Sequence, residues 1–493
     1  MQTLSLILWT PAIGALVTAL VPEDRLRSIR GIAFASTIIT LLLGWSLVFR
    51  FDTRSSAMQF AELAPWNPEL GSSYALGVDG LSLPMVLLAT LLSLVALLAS
   101  YTLTMRVKGY HVCLLMLEFG MLGVFMAQDW VLFYVFWEVT LIPLFFLIDQ
   151  WGGKQRHTAS LNFVLYTMGG SVFMLIGLLM IYTSSTEHST AMAAMSDAAM
   201  ALPRSQQILV FLGLLIGFGV KMPSFPLHGW LPLAHVEAPS PVSILLSGVL
   251  LKMGAYGIIR ATGMLPEATL VLQPLLAGLA LVSIVYGGLL AWRQSDLKAM
   301  IAYSSIGHMG LVLLGVSTLN QTGLLGATLQ MSAHGLVAGA LFLLVGLLYE
   351  RTHTREIGDY SSLVQITPRF ALFTTLALLA SLGLPGLAGF TAELHALIGG
   401  FERWGWWMLL VSFGVLVSAA YAVRTIGRLF TGPMRPGMQG VKDLHGHELV
   451  AAGVLAFGIL ALGLTPAPAL EFIGATVAHL SAAFPQQTRQ EPM

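Results

Sequence analysis

Charge and cysteine are what this sequence has least of. Only 10% of its 493 residues are charged, against about a quarter in ordinary soluble proteins, and its single cysteine is Cys113. One cysteine excludes an internal disulfide and any iron–sulfur or zinc site built from cysteines of this chain, and no metal site is predicted. The 24 basic residues balance 24 acidic ones, so no nucleic-acid partner is supported. No phosphate-binding or dinucleotide-binding loop occurs among the 50 glycines.

Apolar sequence is what the chain has in abundance. Hydrophobic residues make up 56% of it and the mean hydropathy is +0.81, which is typical of a protein that crosses a membrane many times. Because the bilayer core offers no hydrogen-bond partner to unpaired backbone N–H and C=O groups, the predicted fold class is an all-α polytopic membrane protein. The N-terminus lacks a basic n-region and is interpreted as a retained first span. Apolar runs predict about 14 spans, near residues 3–21, 31–49, 80–104, 109–127, 130–150, 161–183, 207–226, 240–262, 268–291, 299–319, 325–349, 369–400, 405–427 and 446–466.

The lysines and arginines predict the orientation of these spans, because short cytoplasmic loops carry them in excess. Of the 24 lysines and arginines, six lie at the ends of the spans or in loops on the side opposite these basic loops, and two lie within spans. Most of the 24 lie in loops after odd-numbered spans: Arg25, Arg27, Arg30, Arg106, Lys108, Lys154, Arg156, Arg293, Lys298, Arg351, Arg355, Arg369, Arg424, Arg428, Arg435 and Lys442. Both termini are therefore predicted to face away from the cytoplasm.

The stretch from Gly217 to Gly254 places two lysines in consecutive apolar segments, with several prolines between them. A charged side chain at bilayer depth costs roughly 3 kcal/mol on insertion scales, so Lys221 and Lys252 indicate function. Pro223 removes a helix donor beside Lys221 and predicts a helix break within the membrane. Such a break is tolerated where protein or a water-filled cavity satisfies the backbone, so the stretch indicates a path for ions or protons.

A second interrupted segment precedes Glu393, where glycines and a proline between Gly383 and Gly389 break span twelve. It follows the break at Pro223 by five spans, so the two broken helices must cross in opposite directions. This arrangement favours two inverted five-helix repeats, each with a broken helix. The predicted parts of the chain are residues 1–108 for helices one to three, 109–262 for the first repeat, 263–430 for the second repeat, and 431–493 for the last helix and C-terminal tail.

Ionisable side chains within the spans mark the predicted path. Glu138 is near the middle of span five and either packs as a protonated group or pairs with Lys221, where opposite charges about 4 Å apart interact by about 4 kcal/mol at an effective dielectric near 20. His308 and His334, near the centres of spans ten and eleven, suit a relay because histidine titrates nearest neutral pH, although packing is the alternative. Glu393 is the candidate terminal group, and it also suits the N-terminus of a restarted half-helix.

Four further polar residues have structural explanations of comparable or greater weight. Glu118, in the middle of span four, either extends the entry side of the path or packs. His228 and His235 either line the cytoplasmic approach to the broken helix or hold an irregular loop. Asp79 most simply caps span three.

Several motifs resemble those of one family, and they are long enough to be specific. They are LGVDGLS, FYVFWEVTLIPLFFLI, VKMPSFPLHGWLPLAHVEAPSPVSILLSGVLLKMGAYGIIR, DLKAMIAYSSIGHMG, QMSAHG, LYERTHTR and LGLPGLAGFTAEL. From about residue 75 to residue 430 the chain thus resembles the proton-translocating chain M (subunit 4) family of respiratory complex I, the NADH:quinone oxidoreductase. The resemblance implies proton-transfer roles for Glu138 and Lys221 as a coupling pair, for Lys252, His308 and His334 as a central relay, and for Glu393 toward the exit.

The resemblance also implies partners. The neighbours would be the antiporter-like chains L and N, in the bilayer of a bacterial inner membrane. No cofactor is expected on this chain, since flavin, iron–sulfur clusters and quinone would belong to partner subunits.

Position 393 helps to choose among relatives, because chains L and N and cation/proton antiporters usually carry lysine there. Leu233, Gly307 and the Leu394–His395 pair depart from the family pattern, with Leu233 at the predicted cytoplasmic entrance. A subunit of a cation/proton antiporter or of a hydrogenase-type membrane complex is the alternative function. A purely structural scaffold is disfavoured by the row of ionisable residues.

Overall fold

A computed structural model of the protein describes residues 2–485, and these fold mainly into α-helices. The predicted polar end of the tail, including Arg489, lies outside the described residues. The helices of the first half are α1 Thr3–Leu20, α2 Leu26–Ser46, α3 Leu83–Ala99, α4 Val107–Met126, α5 Trp130–Val139, α6 Leu141–Trp151, α7 Arg156–Ser184, α8 Met192–Met200, α9 Arg204–Lys221 and α10 Trp230–Glu237. Those of the second half are α11 Ser240–Leu245, α12 Leu251–Met264, α13 Pro266–Arg293, α14 Leu297–Thr318, α15 Gln321–Thr352, α16 Pro368–Ser381, α17 Ala388–Trp404, α18 Met408–Phe430, α19 Gly446–Leu464 and α20 Ala467–Ala482.

Within residues 2–485, eleven helical segments are long and apolar enough to cross a membrane, judged by length and composition. The helices α3 and α16 are also apolar but shorter. Some of the eleven segments contain two helices, as where α5 continues into α6 and where α17 continues into α18. The chain is therefore a polytopic, predominantly helical membrane protein, as its composition predicts.

One segment departs from the all-α prediction. Strand β1 (Gln59–Asn67) pairs antiparallel with strand β2 (Ser72–Val78) to form a hairpin between α2 and α3. Gly71, with a φ of +60°, closes the turn in the left-handed conformation that glycine adopts most easily. The carboxylate of Asp129 accepts hydrogen bonds from Ser72 and Ser73 and so anchors β2 to the start of α5. The hairpin lies in the long connection between spans, where a strand can be satisfied without a closed barrel.

Helix breaks occur at both places where proline and glycine predict them. The first separates the end of α9 at Lys221 from the start of α10 at Trp230, and the second separates α16 from α17 between Ser381 and Ala388. At the first break the indole N–H of Trp230 donates to the carbonyl of Val220 over 2.9 Å, which satisfies an acceptor that the ended helix leaves open.

Two further irregularities were not predicted. The segment Trp130–Trp151 is interrupted at Thr140, where Pro143 cannot donate to the carbonyl four residues earlier. A π-helical stretch, Leu246–Leu250, joins α11 to α12 directly before Lys252. π-turns of this kind are frequent at functional sites because they displace side chains and free carbonyls.

The core of the molecule is formed by the segment α11–α12 and by α14 and α15. In its most apolar window the segment α11–α12 is entirely buried, and α14 and α15 are almost entirely buried. In the outer helices less than half of the residues of that window are buried, as in α1, α2, α7, α13 and α19. The outer helices expose leucines such as Leu16, Leu165 and Leu416, as expected for faces that meet lipid or partner chains. Lys252, His334 and the other ionisable residues of the inner helices are thus held away from that outer surface.

Candidate functional site

Four ionisable side chains form a buried line that runs from the inner helices α12, α15 and α14 to α17. Nζ of Lys252 on α12 lies 2.7 Å from Nδ1 of His334 on α15. The ring of His334 faces that of His308 on α14, with 5.2 Å between the ring centroids. Nδ1 of His308 lies 3.7 Å from Oε1 of Glu393 on α17. All four residues are more than nine-tenths buried, so the structure brings together residues that are up to 141 positions apart in the chain (393 − 252).

The π-helical stretch before Lys252 supplies one partner of its ammonium group. Nζ donates to the carbonyl of Ser247, within that stretch, over 2.5 Å. The hydroxyl of Ser247 lies 3.1 Å from that of Ser305 on α14, which ties the stretch to the helix of His308. A regular helix would engage that carbonyl in its own ladder, so the π-turn is what makes it available to the lysine.

The contact between Lys252 and His334 allows a proton to lie on either side. At 2.7 Å one nitrogen must donate and the other accept, because two donors or two acceptors would repel each other. If Lys252 is an ammonium, Nδ1 of His334 accepts and the imidazole proton is on Nε2. If the lysine is neutral, its lone pair can accept from a protonated Nδ1, and the same geometry serves both states.

The second helix break arranges the other end of the line. Oγ of Ser381, the last residue of α16, lies 3.2 Å from Nε2 of His308, so both halves of the broken helix meet this histidine. Nε2 of Gln330 on α15 approaches Nδ1 of His308 to 3.4 Å. Gly383 has a φ of +74°, and a Cβ atom there would overlap Oε2 of Glu393. The glycine therefore allows both the turn and the position of the carboxylate.

The first helix break holds Lys221 in an aromatic pocket. Its Nζ donates to Oγ1 of Thr140 over 3.2 Å and lies 5.1 Å from the ring centre of Trp137 and 5.8 Å from that of Phe163. Aromatic faces attract a cation, most strongly when it is removed from water, and Lys221 is only 1% exposed. The pocket stabilises an ammonium group without neutralising it.

Glu138 is half-buried on α5, close to this pocket but not in contact with the lysine. No ion pair within 4.0 Å joins the two side chains, and Oε1 of Glu138 has no hydrogen-bond partner among residues 2–485. Thr140, two residues after Glu138, takes the position beside Nζ that the sequence analysis assigns to the carboxylate. The coupling of Glu138 with Lys221 stays a prediction.

The three accessory candidates have different surroundings. Oε2 of Glu118 accepts from the hydroxyl of Thr37 on α2 over 2.9 Å, and its Oε1 has no partner in the described part of the chain. The ring of His228 contacts the rings of Phe225 and Tyr286, and that of His235 stacks on Phe342. Neither a hydrogen bond nor an ion pair between described residues joins any of the three to the line from Lys252 to Glu393.

Sequence reasoning missed three polar residues that contact the candidate site: Thr140, Ser381 and Gln330. Two of them had a signal, since Thr140 and Ser381 each stand a few residues before a proline or glycine that interrupts a span. Gln330 is four residues before His334 and so lies on the same face of α15.

The sequence comparisons identify the family of this chain. Residues 127–418 match the family described as NADH:quinone oxidoreductase/Mrp antiporter, TM. The chain is 39% identical to NAD(P)H-quinone oxidoreductase chain 4 1 of Synechococcus sp. (strain JA-3-3Ab), over 99% of this chain and 95% of that protein. It is also 39% identical to NADH-quinone oxidoreductase subunit M of Rhodobacter capsulatus, over 97% and 96% of the two chains.

Solved structures with a similar fold include chains of the following three complexes. A chain of respiratory complex I from Thermus thermophilus with bound NADH superposes with a TM-score of 0.89 at 32% identity, covering 98% of this chain and 99% of that one. A chain of an archaeal membrane-bound sulfane sulfur reductase gives 0.85 at 26% identity, covering 95% and 77%. A chain of the Mrp complex from Dietzia sp. DQ12-45-1b, at 23% identity, shares the fold with a TM-score of 0.83, covering 97% and 51%. By sequence match, full-length relatives and fold, this chain belongs to the NADH:quinone oxidoreductase/Mrp antiporter transmembrane family, alongside chain 4 or subunit M of the oxidoreductases.

Proposed function

We propose that this chain is a membrane-arm subunit of a proton-pumping NADH:quinone oxidoreductase and carries protons through its buried row of ionisable side chains. The observation that carries the proposal is the unbroken line from Lys252 through His334 and His308 to Glu393. A structural scaffold would have no reason to bury four ionisable groups in contact, since each is expensive at membrane depth. The relatives named chain 4 and subunit M support the assignment.

The line can move a proton in short steps. Lys252 and His334 exchange a proton within one hydrogen bond, the two imidazoles are close enough for a hop through water, and Glu393 accepts at the far end. Lys252 then returns to its charged form by taking a proton from the cytoplasmic side. Each step moves one proton and changes no covalent bond between heavy atoms, so energy must come from elsewhere in the complex.

Glu138 and Lys221 would supply the coupling as a switch that closes and opens. Moving opposite charges from 8 Å to 4 Å changes their interaction by about 2 kcal/mol at an effective dielectric near 20, which exceeds a tenfold change in a proton-binding equilibrium. The pocket of Thr140, Trp137 and Phe163 would hold Lys221 when the pair is open. The absence of a direct contact between the two side chains is compatible with an open state.

The finer topology belongs to the same proposal. The number of membrane passages becomes fourteen when four crossings are counted separately: α3, the broken pair α9–α10, the broken pair α16–α17, and α18. The five crossings of residues 109–262 and the five crossings of residues 263–430 would form two inverted repeats, with one broken helix in each. The excess of basic residues in loops after odd-numbered spans supports placing both termini on the non-cytoplasmic side of a bacterial inner membrane.

The redox chemistry would take place on other chains. Flavin, iron–sulfur clusters and quinone are assigned to partner subunits, and the neighbours in the membrane would be the antiporter-like chains L and N. The lone Cys113 supports this division, since iron–sulfur clusters need several cysteine ligands.

A subunit of an antiporter or of another redox-driven membrane complex is the second candidate, favoured by the similarity to the archaeal sulfane sulfur reductase. Purification in a gentle detergent followed by mass spectrometry separates the two. Flavin and iron–sulfur chains of an NADH oxidoreductase in the same complex support the first function, and cation-antiporter chains in their place would refute it. The functional test is NADH-driven proton uptake by inverted membrane vesicles, which we expect to be abolished in an assembled Lys252→Met variant.

A further inference from the structure

A cavity of about 390 Å³ opens beside the last turns of α12. Its wall is formed by the connection between α2 and β1, by the starts of α5 and α15, and by the ends of α12 and α20. The first two of these segments follow even-numbered predicted spans, so the cavity lies on the side opposite the basic loops, which is predicted to face away from the cytoplasm. None of the four residues from Lys252 to Glu393 lines it.

An ion pair between Arg260 and Asp79 forms part of this wall. Nη1 and Nη2 of Arg260 each donate to one carboxylate oxygen of Asp79 over 2.8 Å, and the two side chains are 18% and 1% exposed. The same carboxylate accepts from the backbone N–H of Leu81 over 3.1 Å, and from the backbone N–H and the hydroxyl of Ser82 over 3.0 Å and 3.1 Å. Donors from α12 and from the turn before α3 therefore fix one carboxylate between them.

Neither member of this pair is suited to passing a proton onward. A guanidinium has donors but no acceptor, and it does not release its proton in proteins. Hydrogen bonds to a carboxylate favour its charged form, and Asp79 receives them from three residues. Because the two opposite charges largely cancel, the pair acts on protons less through its field than through its chemistry: it offers no group that both binds and releases a proton.

A stripe of three polar side chains on α12 leads from this pair to the line of ionisable residues. Lys252, Tyr256 and Arg260 follow one another at intervals of four, so they share one face of the helix. Arg260 is therefore about 12 Å along the helix axis from Lys252, with Tyr256 half way between them. Tyr256 is fully buried, the guanidinium carbon of Arg260 lies 4.9 Å from the centre of its ring, and Phe125 packs against that ring edge-on with 5.5 Å between centroids.

Two buried polar atoms in this stripe have no hydrogen-bond partner among residues 2–485: the hydroxyl oxygen of Tyr256 and Nε of Arg260. Buried polar atoms of this kind are ordinarily satisfied by ordered water. Water that enters from the cavity as far as Tyr256 comes within about one helical turn of Lys252. A lysine that exchanges protons so close to water on the non-cytoplasmic side would let pumped protons return, and Arg260 stands where that return would begin.

We propose that the ion pair of Asp79 and Arg260 closes the non-cytoplasmic end of α12 to protons, so that Lys252 exchanges them only along the line through His334. The inference rests on the proposed function and gives this pair a task beside the transfer itself, namely preventing a leak. The far end of the line differs in kind, because it carries Glu393, a carboxylate that can bind and release a proton. A pump whose central lysine exchanged protons with both sides at once would lose the gradient that it makes.

The first test replaces the guanidinium with a group that exchanges protons. Arg260→His places an imidazole there, which binds and releases protons near neutral pH. In vesicles that hold the purified intact complex, we expect passive proton entry, driven by a potassium diffusion potential, to rise several-fold above that of the parent. NADH:quinone reductase turnover should persist and should no longer rise when an uncoupler is added, because the leak already dissipates the gradient. Arg204→His, at an exposed position on the same predicted side, is the matched control and should leave the passive permeability unchanged.

A second variant covers the case in which Arg260→His does not assemble. The single substitution leaves Asp79 buried beside a weaker partner, so the double variant Asp79→Asn/Arg260→His removes both charges together. Replacing both partners of a buried ion pair is usually milder than removing one of them. We expect the double variant to leak as the single variant does. A passive proton permeability equal to that of the parent in the assembled variants would overturn the proposal.

Tyr256→Phe separates a barrier from an exit. This substitution removes only the hydroxyl group, which has no partner among the described residues, and keeps the ring against Phe125 and Arg260. A barrier requires no proton transfer at this position, so pumping and turnover should stay at the values of the parent. If pumped protons left the molecule past Arg260, pumping would fall in an assembled Tyr256→Phe complex, and that result would refute the proposal.

Lys252→Met decides whether the leak runs through the line. Added to Arg260→His, it should return the passive permeability to the value of the parent, because a leaking proton has to pass Lys252. A leak that persists in the combined variant would contradict the proposal. The proposed function is tested separately: normal pumping in Lys252→Met alone refutes that function, whereas loss of pumping in Lys252→Met without a leak in Arg260→His refutes only the barrier.

Discussion

Nζ of Lys252 lies 2.7 Å from Nδ1 of His334, so the most buried lysine of the inner helices has an imidazole as its partner and not a carboxylate. An ion pair with a carboxylate would hold a proton on the lysine, whereas an imidazole can accept it. This contact joins α12 to α15, and the partners of both residues continue toward α14 and α17. This contact is better suited to transferring a proton than to holding it on the lysine.

Substituting Lys252 distinguishes proton exchange from a need for fixed charge. Lys252→Met should abolish proton pumping because it removes the exchanging group, and Lys252→Arg should be nearly as defective because arginine does not release its proton in proteins. Proton uptake by inverted vesicles, measured beside assembly on native gels, tests both variants. Pumping in Lys252→Arg close to that of the parent would mean that only the charge matters.

Thr140 offers a test of how Lys221 is held. Thr140→Val keeps the shape but removes the acceptor of Nζ, which leaves a buried ammonium one partner short at a cost of about 1–3 kcal/mol. We expect a reduced pumping rate with normal assembly. Thr140→Ser retains the hydroxyl and is the matched control, so equal loss in both variants would argue against the hydrogen bond as the cause.

Gly383 is expected to be as sensitive as the carboxylate it faces. Gly383→Ala forces a Cβ atom onto Oε2 of Glu393 and strains a backbone that has a φ of +74°. The variant should lower pumping by moving Glu393 away from His308. Gly427→Ala, at a position where a Cβ meets no atom within 4 Å, is the control and should behave as the parent.

The chemical requirement at position 393 can be tested directly. Glu393→Lys keeps a group that exchanges protons, whereas Glu393→Leu does not. If Glu393 only needs to exchange protons with His308, the lysine variant should retain more pumping than the leucine variant, measured in vesicles with equal amounts of assembled complex. Equal loss in the two variants would point to a specific need for a carboxylate.

Asp79 is expected to matter for stability. Its carboxylate receives two hydrogen bonds of 2.8 Å from Arg260 on α12, which joins the turn between β2 and α3 to the helix of Lys252. Removing one partner of a buried ion pair costs about 3–5 kcal/mol, so Asp79→Asn should lower the unfolding temperature of the purified complex. Asp24→Asn, at an exposed loop position, is the control and should not.

The same pair predicts a pH dependence. Burial alone would raise the pKa of Asp79, but the Arg260 guanidinium and the hydrogen bonds from Ser82 outweigh it and hold the pKa below its usual range. A lowered pKa in the folded state means that this stabilisation is fully present above the unfolded value, about 3.9, and is lost as the pH falls through the folded value. The unfolding temperatures of the parent and of Asp79→Asn, measured from pH 7 to pH 3, should therefore differ least at the acid end.

Features with a local cause could be predicted from the sequence. Apolar runs gave the helices, and prolines and glycines gave the breaks beside Lys221 and before Glu393, because both signals act over a few neighbouring residues. The hairpin was missed because β2 is anchored by Asp129, whose partners Ser72 and Ser73 are 57 and 56 positions away in the chain. The predicted capping of α3 by Asp79 was wrong: the N-cap position is Ser82, and the Asp79 carboxylate accepts from the backbone N–H groups of Leu81 and Ser82 in the turn before the helix. Its pairing with Arg260 was missed because it joins residues 181 positions apart.

The sequence by itself therefore determined that the chain crosses a membrane many times, where its helices break, and which ionisable residues stand at membrane depth, since hydrophobicity and backbone chemistry are properties of short segments. Only the tertiary structure decided that Lys252 meets His334, that His308 meets both halves of the second broken helix, and that Lys221 rests on Thr140 in place of Glu138. Those contacts depend on how helices rotate and pack against one another, and a rotation of one residue, about 100°, would turn each of these side chains away.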